Sequence, residues 1–171
     1  IGNKPYLLEA SPLEAIDVNW PEDAELADLI AAGQREKERK LFSNLSRLVN
    51  SALLSDILDD LNYPQQIIKG LQINIQNEKF IGRAKTLKLR ALKENEDFKG
   101  IYDALYSYDT VVPGDVILVE NEVSSHAYFG ELNANLAIRS GAVGAVIGGM
   151  TRDSADVTQL GFPVLAKGYT C

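Results

Sequence analysis

GELNANLAIRSGAVGAVIGGMTRD, residues 130–153, reads as a helix, a glycine turn and an apolar strand that stops at a bare Arg152-Asp153 pair. Two readings of that pair compete. Adjacent opposite charges are common where a strand reaches water, and as a surface ion pair they are worth little. Ligands of α/β sheets, however, gather outside the carboxyl ends of strands, which makes the same pair a candidate site.

Working outward, the stretch is preceded by a helical FKGIYDALYSY, the turn VVPGD and VILVEN, a short continuous apolar run of the kind found in a covered sheet. It is followed by a short helix SADVTQL, a turn at Gly161 and a last strand FPVLAKG. Strands alternating with helices predict an α/β layer built from βαβ units. Upstream, IIKGLQINI and FIGRAKTLKLRAL read as strands, the second with only an imperfect alternation of Ala84, Leu87, Leu89 and Ala91. Before them NLSRLVNSALLSDILDDL places Leu45, Leu48, Val49, Leu53, Ile57 and Leu61 at helical spacings and ends at Asn62 and Pro64.

The first forty residues have a different character. Residues 1–19 are irregular and punctuated by proline. PEDAELADLIAAGQREKERKL then starts as a helix should, with Pro21 in the first turn, Glu22, Asp23 and Glu25 where the macrodipole favours acids, and Arg35, Lys37, Arg39 and Lys40 towards its end. Its apolar face uses Leu26, Leu29 and Ile30. The expected organisation is a helical arm over residues 1–40 and an α/β domain over 41–171.

Composition narrows the function classes. The chain has 171 residues, 46% hydrophobic and 24% charged, which suffices for one domain with a real core. A net charge of −7 argues against nucleic acid as a direct partner, because phosphate binding needs a clustered excess of Lys and Arg. No apolar run approaches the roughly 20 residues that span a bilayer, and no secretory signal is visible, so no membrane role and a cytoplasmic location are expected. The single cysteine, Cys171, allows no intrachain disulfide and no cysteine-rich metal site. The only methionine is Met150, and GFPVLAKGYTC stops just after a strand-like run. A piece of a longer polypeptide, cut short at its C-terminal end, is therefore expected.

If the helix of the opening stretch starts near Gly130, the N–H groups of Glu131, Leu132 and Asn133 have no intrahelical partners and share one space, which suits a carboxylate or phosphate. The strand AVGAVIGG would run back past it and let Gly148 and Gly149 approach a ligand. Arg152 offers a planar guanidinium for a carboxylate, and Asp153 a hard oxygen for magnesium. Helix end, arginine and acid could cradle a metal-bound small anionic acid.

This segment, with LLSDILDDL, KFIGRAKTLKL and VVPGDVILVEN before it, resembles the RraA-like family over roughly residues 45–171. The family is named after regulator of ribonuclease E activity A. It also holds class II pyruvate aldolases that cleave 4-hydroxy-4-methyl-2-oxoglutarate, and its members are often labelled demethylmenaquinone methyltransferase-like. The resemblance implies a layered β/β/α swivelling-domain fold and a divalent-metal-dependent lyase for a small 2-oxo acid, acting by retro-aldol cleavage or oxaloacetate decarboxylation. In the enzymes an acid, twenty intervening residues, Arg-Asp, two residues and a further acid mark the site; Glu131, Arg152, Asp153 and Asp156 match that spacing.

Carried over, the resemblance makes Asp153 the direct ligand of Mg²⁺ or Mn²⁺, with Glu131 holding it through water and Asp156 behind. Arg152 would bind the keto-acid and stabilise the enolate oxygen, and Glu131 would share the catalysis. The amides of Leu132 and Asn133, beside Gly130, would take the carboxylate. The chain departs from the enzymes by having Glu131 for the usual Asp and Asn133 for a leucine. A further acid comes, in the family, from a neighbour's C-terminal region, which implies a homotrimer or a hexamer of two trimers. The other activity the resemblance implies is non-catalytic, a protein-binding regulator of a ribonuclease.

The arm is similar to the closing segment of CMP-sugar (acylneuraminate) cytidylyltransferases, with Asp17 and Asn19 at the places of its magnesium-holding acids. That resemblance implies a fusion in which the α/β domain is an accessory of a CMP-sugar synthetase.

Other residues read more plainly. His126, the only histidine, sits in a loop four residues before Gly130 and reads as polar surface or as an acid or base within reach. Asp56, Asp59 and Asp60 read as a solvated helix face, with Asp56 able to cap or pair internally. Tyr102, Tyr106 and Tyr108 read as core and rim packing. No GxGxxG occurs, which counts against a nucleotide loop and a methyltransferase.

Overall fold

In the computed structural model the described residues are 8–96 and 100–170, with the side chains of Gly100 and Ile101 left outside. The start of the irregular N-terminal stretch, the start of FKGIYDALYSY and Cys171 therefore fall outside the description. The chain divides into two compact units, residues 1–40 and 41–171.

Helix α1 runs Pro21–Leu48 and buries none of its residues. Its start is capped from inside: the Asp23 carboxylate accepts the N–H of Trp20 at 2.9 Å and of Asn19 at 3.1 Å. The helical pattern does not break near residue 42, as the two sequence segments suggested, but at residues 49–50. There Asn50 turns extended and its side chain accepts the Leu53 N–H at 2.9 Å, starting α2, Ser51–Asp60. Asparagine bonds its own downstream backbone better than it continues a helix, so it takes the cap. Asp56, Asp59 and Asp60 are exposed on α2.

The remaining elements are β1 Gln72–Ile73, β2 Arg83–Leu89, α3 Gly100–Tyr106 with a 3₁₀ turn at Ser107–Thr110, β3 Asp115–Asn121, β4 Ala127–Phe129, α4 Glu131–Ser140, β5 Gly144–Thr151, α5 Ser154–Gln159 and β6 Val164–Tyr169. This is the expected mixed α/β class. The sheet order is β1-β6-β5-β3-β2, parallel except for β1, which runs antiparallel to β6.

Strand β1 is far shorter than IIKGLQINI suggested. Ile67 and Ile68 are exposed, and Asn74 replaces the ladder with its side chain, accepting the Val164 N–H at 2.7 Å and donating to the Phe162 carbonyl at 3.0 Å.

β5 is served on one edge by two strands in turn. β3 pairs along Gly144 to Ile147, and β4, unforeseen from the sequence, pairs at Met150 and Thr151. Gly148 and Gly149 lie at the exchange. A Cβ on Gly148 would meet the Val119 carbonyl at 2.8 Å, and one on Gly149 would meet the Asn121 amide at 2.9 Å and the Ser124 carbonyl at 3.1 Å. The two glycines thus admit neighbouring protein backbone and side chain rather than a ligand, which corrects the expectation above.

The core lies between the sheet and α4 and α5. Ile117, Val119, Ala145, Ile147, Val164 and Ala166 contribute from the strands, Ala134 and Ala137 from α4, and Val157 from α5. Phe129 and Phe162 stack with ring centroids 6.1 Å apart. Of the three tyrosines only Tyr108 joins this core; Tyr102 and Tyr106 are mostly exposed.

Candidate functional site around Gly130 and Asp153

The site begins with a carbonyl. Phe129, wholly buried at the end of β4, accepts the Thr151 hydroxyl at 2.7 Å and the Arg152 N–H at 2.9 Å. These bonds tie the start of α4 to the end of β5. Gly130 is the N-cap residue of α4 and has no side chain to offer the helix.

Asp153 takes that role from a distance in sequence: its Oδ2 accepts the Glu131 N–H at 3.2 Å. Asp153 is itself the N-cap of α5, yet it makes no side-chain bond to that helix. Its backbone is left-handed, with φ 53° and ψ 34°, a region aspartate tolerates better than most residues. Arg152 Nε lies 3.5 Å from the same Oδ2, in an ion pair open to water. A Cβ on Gly130 would stand 2.5 Å from Asp153 Oδ2, 3.0 Å from Arg152 Cγ and 3.2 Å from its Nε. The glycine is therefore where helix end, acid and guanidinium converge.

Four of the expected residues, Gly130, Glu131 through its backbone, Arg152 and Asp153, are brought together. Leu132 and Asn133 supply the next two N–H groups of the first turn of α4. The Asn133 side chain points elsewhere, buried towards the Tyr108 hydroxyl. The Glu131 side chain and Asp156 are exposed. Among the described residues no three His, Cys, Asp or Glu side chains form a group that could hold a metal ion. In the arm, Asn19 donates to Asp17 Oδ2 at 2.9 Å, so those two residues are also neighbours.

His126 is exposed just before β4, with its Nδ1 3.1 Å from Ser125 Oγ. It lines a groove of about 530 Å³ together with Leu87, Leu89, Leu92, Val123 and Tyr128, at the other end of β4 from Gly130. Neither this groove nor the buried tyrosine pair Tyr108 and Tyr128 was foreseen. Burial pushes both phenols above their ordinary range. No local pattern marks them, because β4 shows itself as a strand only through its pairing with β5.

A parallel sheet with a helix N-terminus, an arginine and an acid beyond a strand's carboxyl end makes this an α/β protein with a candidate site at that edge. The family model described as RraA-like: Aldolase/RraA matches residues 51–171, and the chain belongs to the RraA-like family.

Solved structures agree. The chain is similar to RraAS2 of Streptomyces coelicolor, described as an unusual member of the RNase ES inhibitor RraA protein family, with 28% identity and a TM-score of 0.65 over 77% of this chain and 64% of that one. It thus spans less than two thirds of that relative. It is similar to an S-adenosylmethionine: 2-dimethylmenaquinone methyltransferase of Geobacillus kaustophilus HTA426, with 27% identity and a TM-score of 0.54 over 71% of this chain and 70% of that one. The RNA-processing inhibitor RraA of Thermus thermophilis, 23% identical with a TM-score of 0.52 over 67% of this chain and 66% of that one, shares the fold. No curated protein matches. Among the described residues no helix is long and apolar enough to cross a membrane.

Proposed function

We propose that the chain is the catalytic part of a divalent-metal-dependent lyase for small 2-oxo acids. The observation that carries this reading is the single carboxylate oxygen of Asp153 that meets both the Glu131 N–H and Arg152 Nε, so that acid, cation and helix end form one cradle. The N–H groups of Leu132 and Asn133 take the carboxylate of the acid, where the helix end favours negative charge. Arg152 faces the keto oxygen and stabilises the charge that develops there.

In retro-aldol cleavage of a 4-hydroxy-2-oxo acid, the proton of the C4 hydroxyl passes to a water held by Glu131. The C3–C4 bond breaks, C4 leaves as a carbonyl compound, and the bonding pair becomes the enolate of pyruvate, which takes up at C3 the proton that the water received.

The donor set suits a cation that keeps most of its water. Asp153 offers one hard carboxylate, Glu131 and Asp156 lie in the first turns of α4 and α5, and among the described residues no group of three acids forms a cage. A bound Mg²⁺ or Mn²⁺ would supply Lewis-acid polarisation of the keto oxygen. Assembly as a trimer or hexamer, with an acid from a neighbouring subunit, belongs to the same proposal.

A second reading is favoured by the likeness to RraAS2, whose description names an RNase ES inhibitor. Here the domain is a non-catalytic regulator that binds a ribonuclease. For the arm, the paired Asp17 and Asn19 support the reading as the end of a CMP-sugar cytidylyltransferase, with the RraA-like domain as accessory.

Pyruvate release from a panel of 4-hydroxy-2-oxo acids and oxaloacetate, with and without Mg²⁺, decides between enzyme and regulator. The lyase reading expects Mg²⁺-dependent release that Arg152→Ala lowers by about 10²–10³-fold. No release, together with capture of a ribonuclease, overturns it.

A further inference from the structure

We propose that the arm helix pairs with the arm helix of a second copy of this chain, antiparallel over residues 21–41, acidic end against basic end. The contact is independent of the lyase reading and lies outside residues 51–171, which the family model matches. Helix α1 buries none of its residues, and Leu26 and Leu29 of its apolar face are 50% and 65% exposed. A helix with such a stripe draws most of its stability from a surface that covers it.

The residues of α1 name that surface, because they are complementary to themselves about Ala31. At the 3.5-residue period of paired helices, Leu26, Gly33 and Lys40 form one row of a seam and Glu22, Leu29 and Glu36 the other. In an antiparallel pair each row faces the opposite row of the second copy. Leu29 then meets Gly33, and Glu22 meets Lys40. Leu26 meets Glu36, whose carboxylate is already held by Arg39 at 2.6 Å and Lys40 at 3.6 Å.

The rows beside the seam agree. Asp23, Ile30 and Lys37 lie on one side of it, and Glu25, Ala32 and Arg39 on the other. Reversed against itself, the first row sets Asp23 opposite Lys37 and Ile30 opposite its own copy. The second sets Glu25 opposite Arg39 and Ala32 opposite its own copy. A parallel pair would set acids against acids and bases against bases, and would align the two macrodipoles. Gly33 points to the same occupant. A Cβ there would meet nothing within 4 Å in the single chain, so the chain itself has no steric need of a glycine that weakens the helix. Opposite Leu29 of the second copy, it gives the leucine room. The contact is isologous and closes on itself as a two-fold pair.

Sedimentation velocity on the 171-residue chain tests the pairing with two double variants. Glu22→Lys with Glu25→Lys sets like charges opposite Lys40 and Arg39, and Arg39→Glu with Lys40→Glu sets like charges opposite Glu25 and Glu22. Each variant alone should have half the mass of the parent particle. An equimolar mixture should restore the parental mass, because each changed position then faces its opposite charge. Restoration on mixing also shows that the substitutions left the helix able to form. A parent that sediments as a monomer, a variant that alone keeps the parental mass, or a mixture that stays at half of it overturns the pairing.

Discussion

Asp153 caps a helix that starts 22 residues before it: its Oδ2 accepts the Glu131 N–H at 3.2 Å, in the place an N-cap side chain at Gly130 would fill. The residue that the family resemblance makes a metal ligand is thus also part of the local architecture, and its substitutions separate the two roles.

Asp153→Asn keeps an oxygen that can accept the Glu131 N–H. Its unfolding free energy should stay within about 0.5 kcal/mol of the parent, while Asp153→Ala should lose about 1 kcal/mol, as for a missing cap. Both should lose Mg²⁺-dependent pyruvate release. Urea unfolding beside a coupled pyruvate assay reads the two effects independently; full activity in the Asn variant would remove Asp153 from the metal site.

At Gly130 the predicted effect is steric. A methyl group would stand 2.5 Å from Asp153 Oδ2, so Gly130→Ala must push the carboxylate and Arg152 away. Both are side chains open to water and can turn aside, so the expected cost is no more than about 1 kcal/mol, that of a lost cap. Amide exchange at Glu131 should accelerate, because its acceptor has moved. A variant with unchanged exchange and unchanged melting would show that the loop yields freely.

Stability should fall at alkaline pH through the two buried phenols. Burial pushes Tyr108 up, with repulsion from Tyr128 adding to it, and burial pushes Tyr128 up as well. In the unfolded chain a tyrosine ionises near about 10. The folded state therefore binds more protons above that pH. The stability these phenols contribute is whole below about pH 10 and declines as pH rises beyond it. Urea unfolding between about pH 8 and 11 should show the decline, and Tyr108→Phe should make it shallower. A decline that starts well below the tyrosine range would assign it to other groups.

Much of this protein was legible in its residues because the relevant signals are local. The helix, turn and strand of residues 130–153 follow from periodicity and from glycine placement, and the capping chemistry of α1 follows from acids next to Pro21. The residues around Gly130 were also readable, because their spacing along the chain is itself the motif. Asn50 was present in the sequence as a cap, but its choice of breaking point depends on whether a polar side chain bonds its own backbone or lets the helix run on, and periodicity does not decide that. What only the tertiary structure decided is long-range. β4 is a three-residue strand that exists because β5 continues past the end of β3, and Gly148 and Gly149 are small because that exchange brings Val119, Asn121 and Ser124 against them. The groove needs the ends of β2 and β3, α3 and the loop before β4 at once. Such contacts join residues far apart in the chain, and no local pattern records which of them will meet.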